Sequence, residues 1–339
     1  MSGNVAGNAV PAGGDPPWSP KPDRKRILVV ANREWEAAPL LGVLAEARAC
    51  PPGFPWAAWP GNGPRCVRPL QKGDAVPPAS PRAIYELGHA AVEIWCMQDL
   101  MNPEKSASST AEKKRILPSI FGWKPAEGTE RPPDFVVGFG TAAWPGPTVQ
   151  GGCVVVGANT FVHDPRPGTM GPEFWHDPRA DALIPPTLSP SFFSDPPIID
   201  DSLRAQVEPR LLKPPISAGE KRFIIAAANY TSVGTINIPK PDDFAWADPE
   251  SIAAFQRSQD GDTNPRIRAP IGAVDTTLGL IRLESSAPYL FVAGIVNQVG
   301  EFNLTLASRP YAQNFVASHN AAVVVAWLLP RISTLVGSS

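Results

Sequence analysis

The chain has 339 residues, a formal net charge of −2 and a hydrophobic share of 43%. It is long enough for one large α/β domain or two smaller domains. The near-neutral charge lacks the basic surface that nucleic-acid-binding proteins need, so we expect no nucleic-acid partner. The 42 Pro and 28 Gly residues predict long loops, because Pro is excluded from helix interiors and from central strands.

The first 25 residues are rich in Gly and Pro and lack a basic start followed by an apolar stretch. They predict a flexible tail rather than a signal peptide. Residues 26–335 predict a single domain with Pro-rich insertions near 51–81 and 165–215, which are typical of lids, interface arms or disorder. The longest apolar run near the C-terminus, Ala321–Leu329, is too short to span a bilayer. We therefore expect a soluble cytoplasmic protein with no membrane contact.

Short apolar, β-branched runs and helix-like segments follow one another along the chain. The runs are nearly continuous, which is typical of strands covered on both faces. This order predicts an α/β fold with a central sheet and helices around it. The predicted strands are Ile27–Ala31, Ala90–Cys96, Phe135–Phe139, Cys153–Val156, Phe223–Ala228 and Leu290–Ile295. The predicted helices are Glu36–Ala49, Ser109–Ile120, Pro249–Ser258, Thr276–Glu284 and Ala312–Ile332.

Motifs for cofactors and metals are missing from the sequence. Residues 136–147 read VVGFGTAAWPGP, which contains G-x-G but neither a third Gly nor the acidic residue that a dinucleotide fold requires. The four cysteines form no C-x-x-C pair and no two histidines have helical i, i+4 spacing. We therefore expect reduced thiols, no cofactor and no metal. Residues 138–143 are expected to turn tightly at a strand end, either past a ligand or as a plain turn.

Polar residues stand at the ends of several predicted strands. In open α/β sheets, ligands bind at the carboxyl ends of the strands. A cleft is therefore predicted there, although two of these positions also have structural interpretations. His163 suits either a site or a satisfied structural histidine, and Asp275 precedes a helix that it could cap. The five strand-end positions are Glu36, Thr141, His163, Asp275 and Asn297.

The order of these segments resembles the purine nucleoside phosphorylase superfamily. The nearest branch is its nucleosidases, which cleave 5'-methylthioadenosine and S-adenosylhomocysteine. The similarity covers roughly 110 residues in the family's order, and no single segment is highly specific. The segments that carry it read ILVVANREWEAAPLL, PDFVVGFGTAAW, CVVVGANTFVHD, FIIAAANYTSVG, GAVDTTLGLIRL, FVAGIVNQVGEF and SHNAAVVVAWLLPRI.

The resemblance implies a three-layer α/β fold, with a central mixed twisted sheet flanked by helices and with long Pro-rich loops. It also implies a nucleoside-like small-molecule ligand and a homo-oligomer, a dimer or larger. Glu36 would position and activate water, and Glu34 would be solvated. Tyr230 would stack on the base, Thr141 would lie near the attacking group, and Asp275 or Thr277 would contact the sugar.

The chain departs from the family's pattern at three positions. Gly138 stands where many phosphorylases have a phosphate-binding arginine, which favours water as the attacking group unless Arg33 takes that role. Thr277 replaces the glutamate that grips the ribose hydroxyls. Asn297 replaces the aspartate that protonates the purine, and an amide donates a hydrogen bond but supplies no proton.

These observations favour an enzyme that cleaves an N-glycosidic bond by hydrolysis. The changes at Thr277 and Asn297 leave a second interpretation open, a nucleoside-binding or scaffold protein that has lost the chemistry. A third is an enzyme of the same fold that acts on a non-nucleoside metabolite.

Overall fold

The computed structural model describes most of the chain in segments. The described residues are 24–46, 73, 75–76, 79–105, 109–123, 132–146, 151–164, 177–184, 186–188, 191–194, 197–214, 222–226, 230–236, 244–259, 270–301 and 311–337. The predicted tail, except its last two residues, and most of the Pro-rich insertion near 51–81 lie outside these segments. Cys50, Cys66 and His176 lie outside them as well.

The described residues form an 11-stranded sheet and seven α-helices. The strands are β1 (Lys25–Ala31), β2 (Ala83–Leu87), β3 (Ala90–Cys96), β4 (Phe135–Trp144), β5 (Val154–Gly157), β6 (Asn159–His163), β7 (Ala182–Ile184), β8 (Ile224–Ala226), β9 (Thr231–Thr235), β10 (Ile271–Asp275) and β11 (Tyr289–Gln298). The helices are α1 (Glu34–Leu44), α2 (Thr110–Phe121), α3 (Ser191–Ser194), α4 (Asp201–Val207), α5 (Phe244–Gln259), α6 (Leu278–Glu284) and α7 (Tyr311–Gly337).

The sheet is mixed, as the resemblance implied. Strand β4 pairs in parallel with β1 and β11, whereas β10 joins β4 in the antiparallel sense. A second parallel group, β10, β9 and β6, continues the sheet. Strand β5 pairs antiparallel with β11 and parallel with β8.

Helices cover both faces of the sheet, which makes three layers. Successive residues of β1 point to opposite faces because the side chains of a strand alternate. Ile27 and Val29 join a core with α1 and α7, while Leu28 and Val30 join a core with α2 and α6. The predicted α/β fold class is therefore confirmed, with both faces of β1 buried.

The C-terminal helix α7 is apolar because it is a core helix. Its segment Gln313–Gly337 is long and apolar enough to cross a membrane, but 72% of its most apolar window is buried inside the protein. Residues Ala321–Leu329 are all buried, and the helix packs against α1 and β11. Its composition is thus explained by packing within this domain.

The expected turn at residues 138–143 is wrong. Strand β4 runs without interruption through this segment to Trp144. The small residues make room for large neighbours instead. A methyl group on Gly138 would collide with the Tyr289 hydroxyl, and one on Gly140 would lie 3.0 Å from Glu36 Oε1. Gly138 and Gly140 lie inside β4 and mark close approaches of side chains, not a change of chain direction.

The described part of the Pro-rich segment 165–215 contains a strand and helices as well as loop. Strand β7 pairs with β6. Helix α4 is capped by Asp200, whose Oδ1 accepts a 2.7 Å hydrogen bond from Leu203 N. The guanidinium of Arg331 on α7 contacts both Ile198 O and Asp200. Residues 197–210 are therefore tied to the C-terminal helix.

Candidate active site

A break in one edge of β4 forms the centre of the candidate site. Strand β1 pairs with β4 as far as Phe139, and β10 pairs with β4 at Ala143, while β11 occupies the other edge. Residues 140–142 therefore lie between the point where β1 stops pairing with β4 and the point where β10 pairs with it. We call this stretch the β1–β10 gap.

The Glu36 carboxylate fills the β1–β10 gap from the β1 side. Its Oε1 accepts hydrogen bonds from Thr141 N at 2.9 Å and from Thr141 Oγ1 at 3.2 Å. Its Oε2 accepts from Arg33 N at 3.0 Å and Asn32 N at 3.2 Å. A backbone N–H left unpaired in a buried strand is costly, so Glu36 supplies the acceptor that β1 no longer offers to Thr141.

The position of Glu36 follows from the start of α1. It is the third residue of the helix, and its carboxylate reaches back to the backbone N–H of the capping residue Arg33, as in a capping box. Burial raises the pKa of Glu36, while the hydrogen bonds from Thr141 and Arg33 and the nearby Arg33 charge lower it. Glu36 is therefore a buried carboxyl group whose ionised form is supported by four hydrogen bonds.

Asp275 enters the β1–β10 gap from the opposite side. It ends β10, and since Val274 pairs antiparallel with Ala143, the next residue continues toward Ala142. Asp275 Oδ2 accepts from Thr277 N at 2.9 Å and from Leu278 N at 2.7 Å, so the predicted capping of α6 is observed. Asp275 Oδ1 is buried and has no hydrogen-bond partner among the described residues.

Two carboxyl groups therefore share the site. The pKa of Asp275 is raised to about 7, mainly by burial and also by the charge of Glu36, against the lowering effect of the backbone hydrogen bonds and of Lys113. Separation of acid and base functions between paired carboxyl groups depends on such differences in environment.

Lys113 is a buried cation of the site that sequence reasoning missed. It lies on α2, is 0% exposed, and donates from Nζ to Thr277 Oγ1 at 2.8 Å and to Thr276 O at 3.0 Å. A lysine in a Lys-Lys-Arg run is normally predicted to lie on a solvent-exposed face of a helix. Only the packing of α2 against α6 brings its ammonium beside Thr277.

Asn297 lies on the other side of β4 from Asp275. It pairs with Ala143 just after a register shift between Ile295 and Asn297. Its side-chain Nδ2 donates to Gln298 O at 3.2 Å, and the residue is half-buried. The end of β4 is therefore flanked by Asn297 of β11 at one edge and by Asp275, which follows Val274 in β10, at the other edge.

His163 ends β6 in the parallel group that also contains β10. Its Nδ1 is 2.7 Å from Oδ1 of Asp181, a residue with a φ of 56° in the left-handed region. In register, His163 pairs with Thr235, while Gly234 pairs with Asp275. His163 thus lies two strands from Asp275 at the same end of the sheet, and its ring is oriented by a carboxylate.

Tyr230 lies at a different place from the carboxyl groups. It precedes β9, and its carbonyl accepts from Asn159 N. Its ring lies against Gly272, where a Cβ would be 3.0 Å from the Tyr230 Cδ1 atom. Gly272 is the second residue of β10 and Asp275 is the last, so the two backbone positions are three residues, about 10 Å, apart along that strand.

A buried ionic cluster supports the turn that carries Glu36. Arg82 forms a two-pronged contact with Asp99, at 2.6 Å and 2.5 Å, and an ion pair with Glu34. The expectation that Glu34 is solvated is therefore wrong, because strand pairing of β2 with β3 brings the Arg82 guanidinium to it. Gln98 Oε1 also accepts from Glu34 N at 2.9 Å.

The same cluster has donor atoms of the kind that bind metals, but its charges are already paired. Ligand atoms of Glu34, Cys96 and Asp99 lie within 4.8 Å of one another. The Arg82 guanidinium is ion-paired with both carboxylates, and burial raises the pKa of the Cys96 thiol, which keeps it protonated. Cys96 and Cys153 are free thiols.

Comparisons with known proteins return matches of fold only. No family model and no curated protein matches the chain. Among solved structures, it matches the 5'-methylthioadenosine/S-adenosylhomocysteine nucleosidase of Neisseria meningitidis in complex with methylthio-immucillin-A, at 14% identity and a TM-score of 0.44, over 91% of this chain and 99% of that one.

Two further matches are named as a hydrolase and a nucleosidase. Futalosine hydrolase of Helicobacter pylori strain 26695 has 8% identity and a TM-score of 0.49, over 91% of this chain and 98% of that one. S-adenosylhomocysteine nucleosidase of Streptococcus pyogenes, in complex with 5-methylthiotubericidin, has 11% identity and a TM-score of 0.48, with the same two coverages. At this level of similarity, the role of each residue depends on the contacts within this chain.

The structure thus brings one part of the predicted site together. Glu36, Thr141 and Asp275 meet at the β1–β10 gap, and Asn297 borders it across β4. Arg33 contacts the Glu36 carboxylate through its backbone N–H, and Thr277 contacts Lys113. His163 and Tyr230 lie farther along the β6–β9–β10 group.

Proposed function

We propose that this protein cleaves the N-glycosidic bond of a purine nucleoside or a related compound, with water as the attacking group. The observation that carries the proposal is the buried Glu36 carboxylate, held by Thr141 in the β1–β10 gap with a second carboxyl group, Asp275, at the other side. Paired carboxyl groups at strand ends suit acid–base chemistry on a sugar-like substrate.

Glu36 and Thr141 act on the water in this proposal. A carboxylate has about four acceptor positions, and the Glu36 carboxylate accepts four hydrogen bonds in the structure. The bond from the Thr141 hydroxyl, at 3.2 Å, is the one that exchanges most easily, because the others come from fixed backbone groups. Rotation of this hydroxyl lets Glu36 accept a proton from water while Thr141 orients the oxygen.

The charges of the site favour water over phosphate. The Glu36 carboxylate borders the β1–β10 gap, and a phosphate anion placed beside it would be repelled. Lys113 is buried, and its ammonium donates to oxygen atoms of Thr276 and Thr277. Gly138, in the strand position of the family's arginine, is covered by the Tyr289 hydroxyl.

The remaining predicted residues have roles at the substrate's periphery. Asn297 recognises the base through its amide, and Tyr230 stacks on the base. Thr277 contacts the sugar, and His163 and Arg33 border the pocket. A homo-oligomer and a cytoplasmic location remain predictions, and light scattering of the purified protein tests the former.

Release of free base from nucleosides tests the proposed function. Wild-type protein is incubated with adenosine, inosine, guanosine and 5'-methylthioadenosine, with and without phosphate, and the products are separated by chromatography. We expect base release that does not require phosphate. Glu36→Gln is expected to slow it by about 10²–10⁴-fold, because a general base is lost.

Glu46→Gln is the matched control, since Glu46 is exposed just after the same helix. It is expected to retain wild-type rates. The hydrolytic assignment is overturned if wild-type protein releases no base from any of the four compounds, or if it releases base only with phosphate.

A second function, ligand binding without turnover, is favoured by the saturation of Glu36 with hydrogen bonds. In that case Glu36 serves only to connect the α1 turn to β4. Thermal stabilisation by one of the four nucleosides, with no base released over prolonged incubation, would select this function.

A further inference from the structure

The proposed hydrolysis requires a proton donor that the sequence pattern does not provide. A purine leaves as an anion unless its nitrogen receives a proton, and general acid catalysis contributes about 10²–10⁴-fold to such steps. Asn297, at the position of the family's acid, has an amide with no proton to transfer. Another group must therefore act if the rate is substantial.

Asp275 has the geometry of a proton donor. Its Oδ2 is fixed by two backbone N–H groups at the start of α6, so the carboxyl group cannot turn freely. Its Oδ1 is buried and has no hydrogen-bond partner in the described part of the chain. An unpaired oxygen of a buried carboxylate is costly, and a proton on Oδ1 removes that cost and leaves a free O–H donor.

The position of Asp275 relative to Glu36 suits an acid–base pair. The β4 residues Phe139 and Ala143 at the two ends of the β1–β10 gap are four residues apart, about 13 Å along a strand. Glu36 reaches Gly140 and Thr141 from one end, and Asp275 extends toward Ala142 from the other. The two carboxyl groups therefore approach adjacent residues of β4, Thr141 and Ala142, from the two ends of the β1–β10 gap.

The groups around Asp275 keep its proton available near neutral pH. Burial raises its pKa to about 7, and the Glu36 charge acts in the same direction. The Lys113 ammonium on α2 opposes both. Tyr289 on β11 donates its hydroxyl proton to Leu278 O, and burial raises its own pKa, so it brings no charge to the site.

We infer that Asp275, and not a residue at the position of Asn297, donates the proton to the departing base. The inference rests on the proposed function. Water attacks the anomeric carbon and gives a proton to Glu36. The C–N bond breaks with its electron pair on the base, and the Asp275 proton moves to the base nitrogen. The proton on Glu36 then returns to the Asp275 carboxylate across the β1–β10 gap, so the site is restored with one water consumed.

Two substrates with different leaving groups test this role. A purine nucleoside needs a proton on its leaving base, whereas the nitrophenolate of 4-nitrophenyl ribofuranoside departs without one. We expect Asp275→Asn to slow purine nucleoside hydrolysis by about 10²–10⁴-fold and to change release of nitrophenolate by less than about tenfold. Asparagine retains the side-chain oxygen that caps α6, so the fold is preserved, which thermal unfolding checks.

The pH dependence gives a second readout. In wild-type protein, hydrolysis of the purine nucleoside is expected to fall as pH rises through about 7, because Asp275 loses its proton. In Asp275→Asn this alkaline decline should be absent, while Glu36→Gln should slow cleavage of both substrates.

The outcomes separate the inference from the proposed function. If wild-type protein cleaves neither substrate, the proposed function fails, and the role of Asp275 fails with it. If wild-type protein cleaves both and Asp275→Asn slows both equally, hydrolysis stands and the role of Asp275 as proton donor is overturned. Only selective loss of purine nucleoside cleavage supports it.

Discussion

At the scale of single residues, the chemistry depends on charges that are buried together. Glu36, Asp275 and Lys113 lie on three different elements, and the charges of Glu36 and Lys113 both act on the pKa of Asp275. The sequence pointed to the first two because each stands where a strand ends and a helix begins. Nothing in the sequence singled out Lys113, whose ammonium position depends on helix packing.

Removal of the Lys113 charge is predicted to shift the pH profile. Lys113 lowers the pKa of Asp275, so Lys113→Met should raise that pKa and move the alkaline decline of activity to higher pH. The variant should also lose stability, because Thr277 Oγ1 and Thr276 O lose a buried donor, at a cost of about 1–3 kcal/mol.

Base release measured across pH checks the shift, and Lys105→Met, at an exposed lysine, serves as the control. An unchanged pH profile in Lys113→Met would contradict the electrostatic role of Lys113.

At the scale of elements, the predicted strands and helices are largely confirmed. Strand β3 has the predicted bounds, and β1, β4 and β11 contain the predicted runs. Apolar runs reveal buried strands because both faces of this sheet are covered. Strands β2, β6, β7, β9 and β10 have no counterpart among the predicted apolar runs, since they are only three to five residues long and depend on neighbours for their hydrogen bonds. The ends of β6 and β10 were predicted only through His163 and Asp275.

Strand β4 provides a test of the close approach to Glu36. A Cβ on Gly140 would lie 3.0 Å from Glu36 Oε1, so Gly140→Ala should displace the carboxylate by a few tenths of an ångström. We expect activity to fall by about tenfold or more, because small misplacements of catalytic groups are costly. The free energy of unfolding should change by less than about 1 kcal/mol.

Gly42→Ala is the matched control, as a Cβ there, in the last turn of α1, meets nothing within 4 Å. It should leave activity unchanged and stabilise the protein by about 0.5–1 kcal/mol. Equal activity of the two variants would show that the position of Glu36 is not limiting.

At the scale of the whole molecule, the buried carboxyl groups make stability depend on pH. The pKa of Asp275 is raised from 3.8 to about 7 by burial, so the folded state binds a proton that the unfolded state has released. Stability from this group is present in acid and is lost as pH rises through about 7. Asp177 behaves differently: burial acts to raise its pKa, but Arg179 and Lys114 hold that pKa at about 2. Asp177 therefore stays ionised in the pH range in which Asp275 titrates.

Chemical denaturation between about pH 5 and pH 8 checks this linkage. From the lower to the higher pH, the free energy of unfolding of the wild-type protein should fall by on the order of 2–3 kcal/mol more than that of Asp275→Asn, which has no group to titrate at that position. Parallel stability curves for the two proteins would mean that Asp275 is already ionised in the folded state.

The sequence by itself determined the alternation of strands and helices, the capping of α6 by Asp275 and the presence of Glu36 at the start of α1. These features are local, because periodicity and capping involve residues a few positions apart. Only the tertiary structure decided that β1 gives way to β10 along β4, and that Glu34 is paired with Arg82. It also raised the pKa of Asp275 beside Glu36 and Lys113, because a pKa is set by burial and by charges that distant segments bring together.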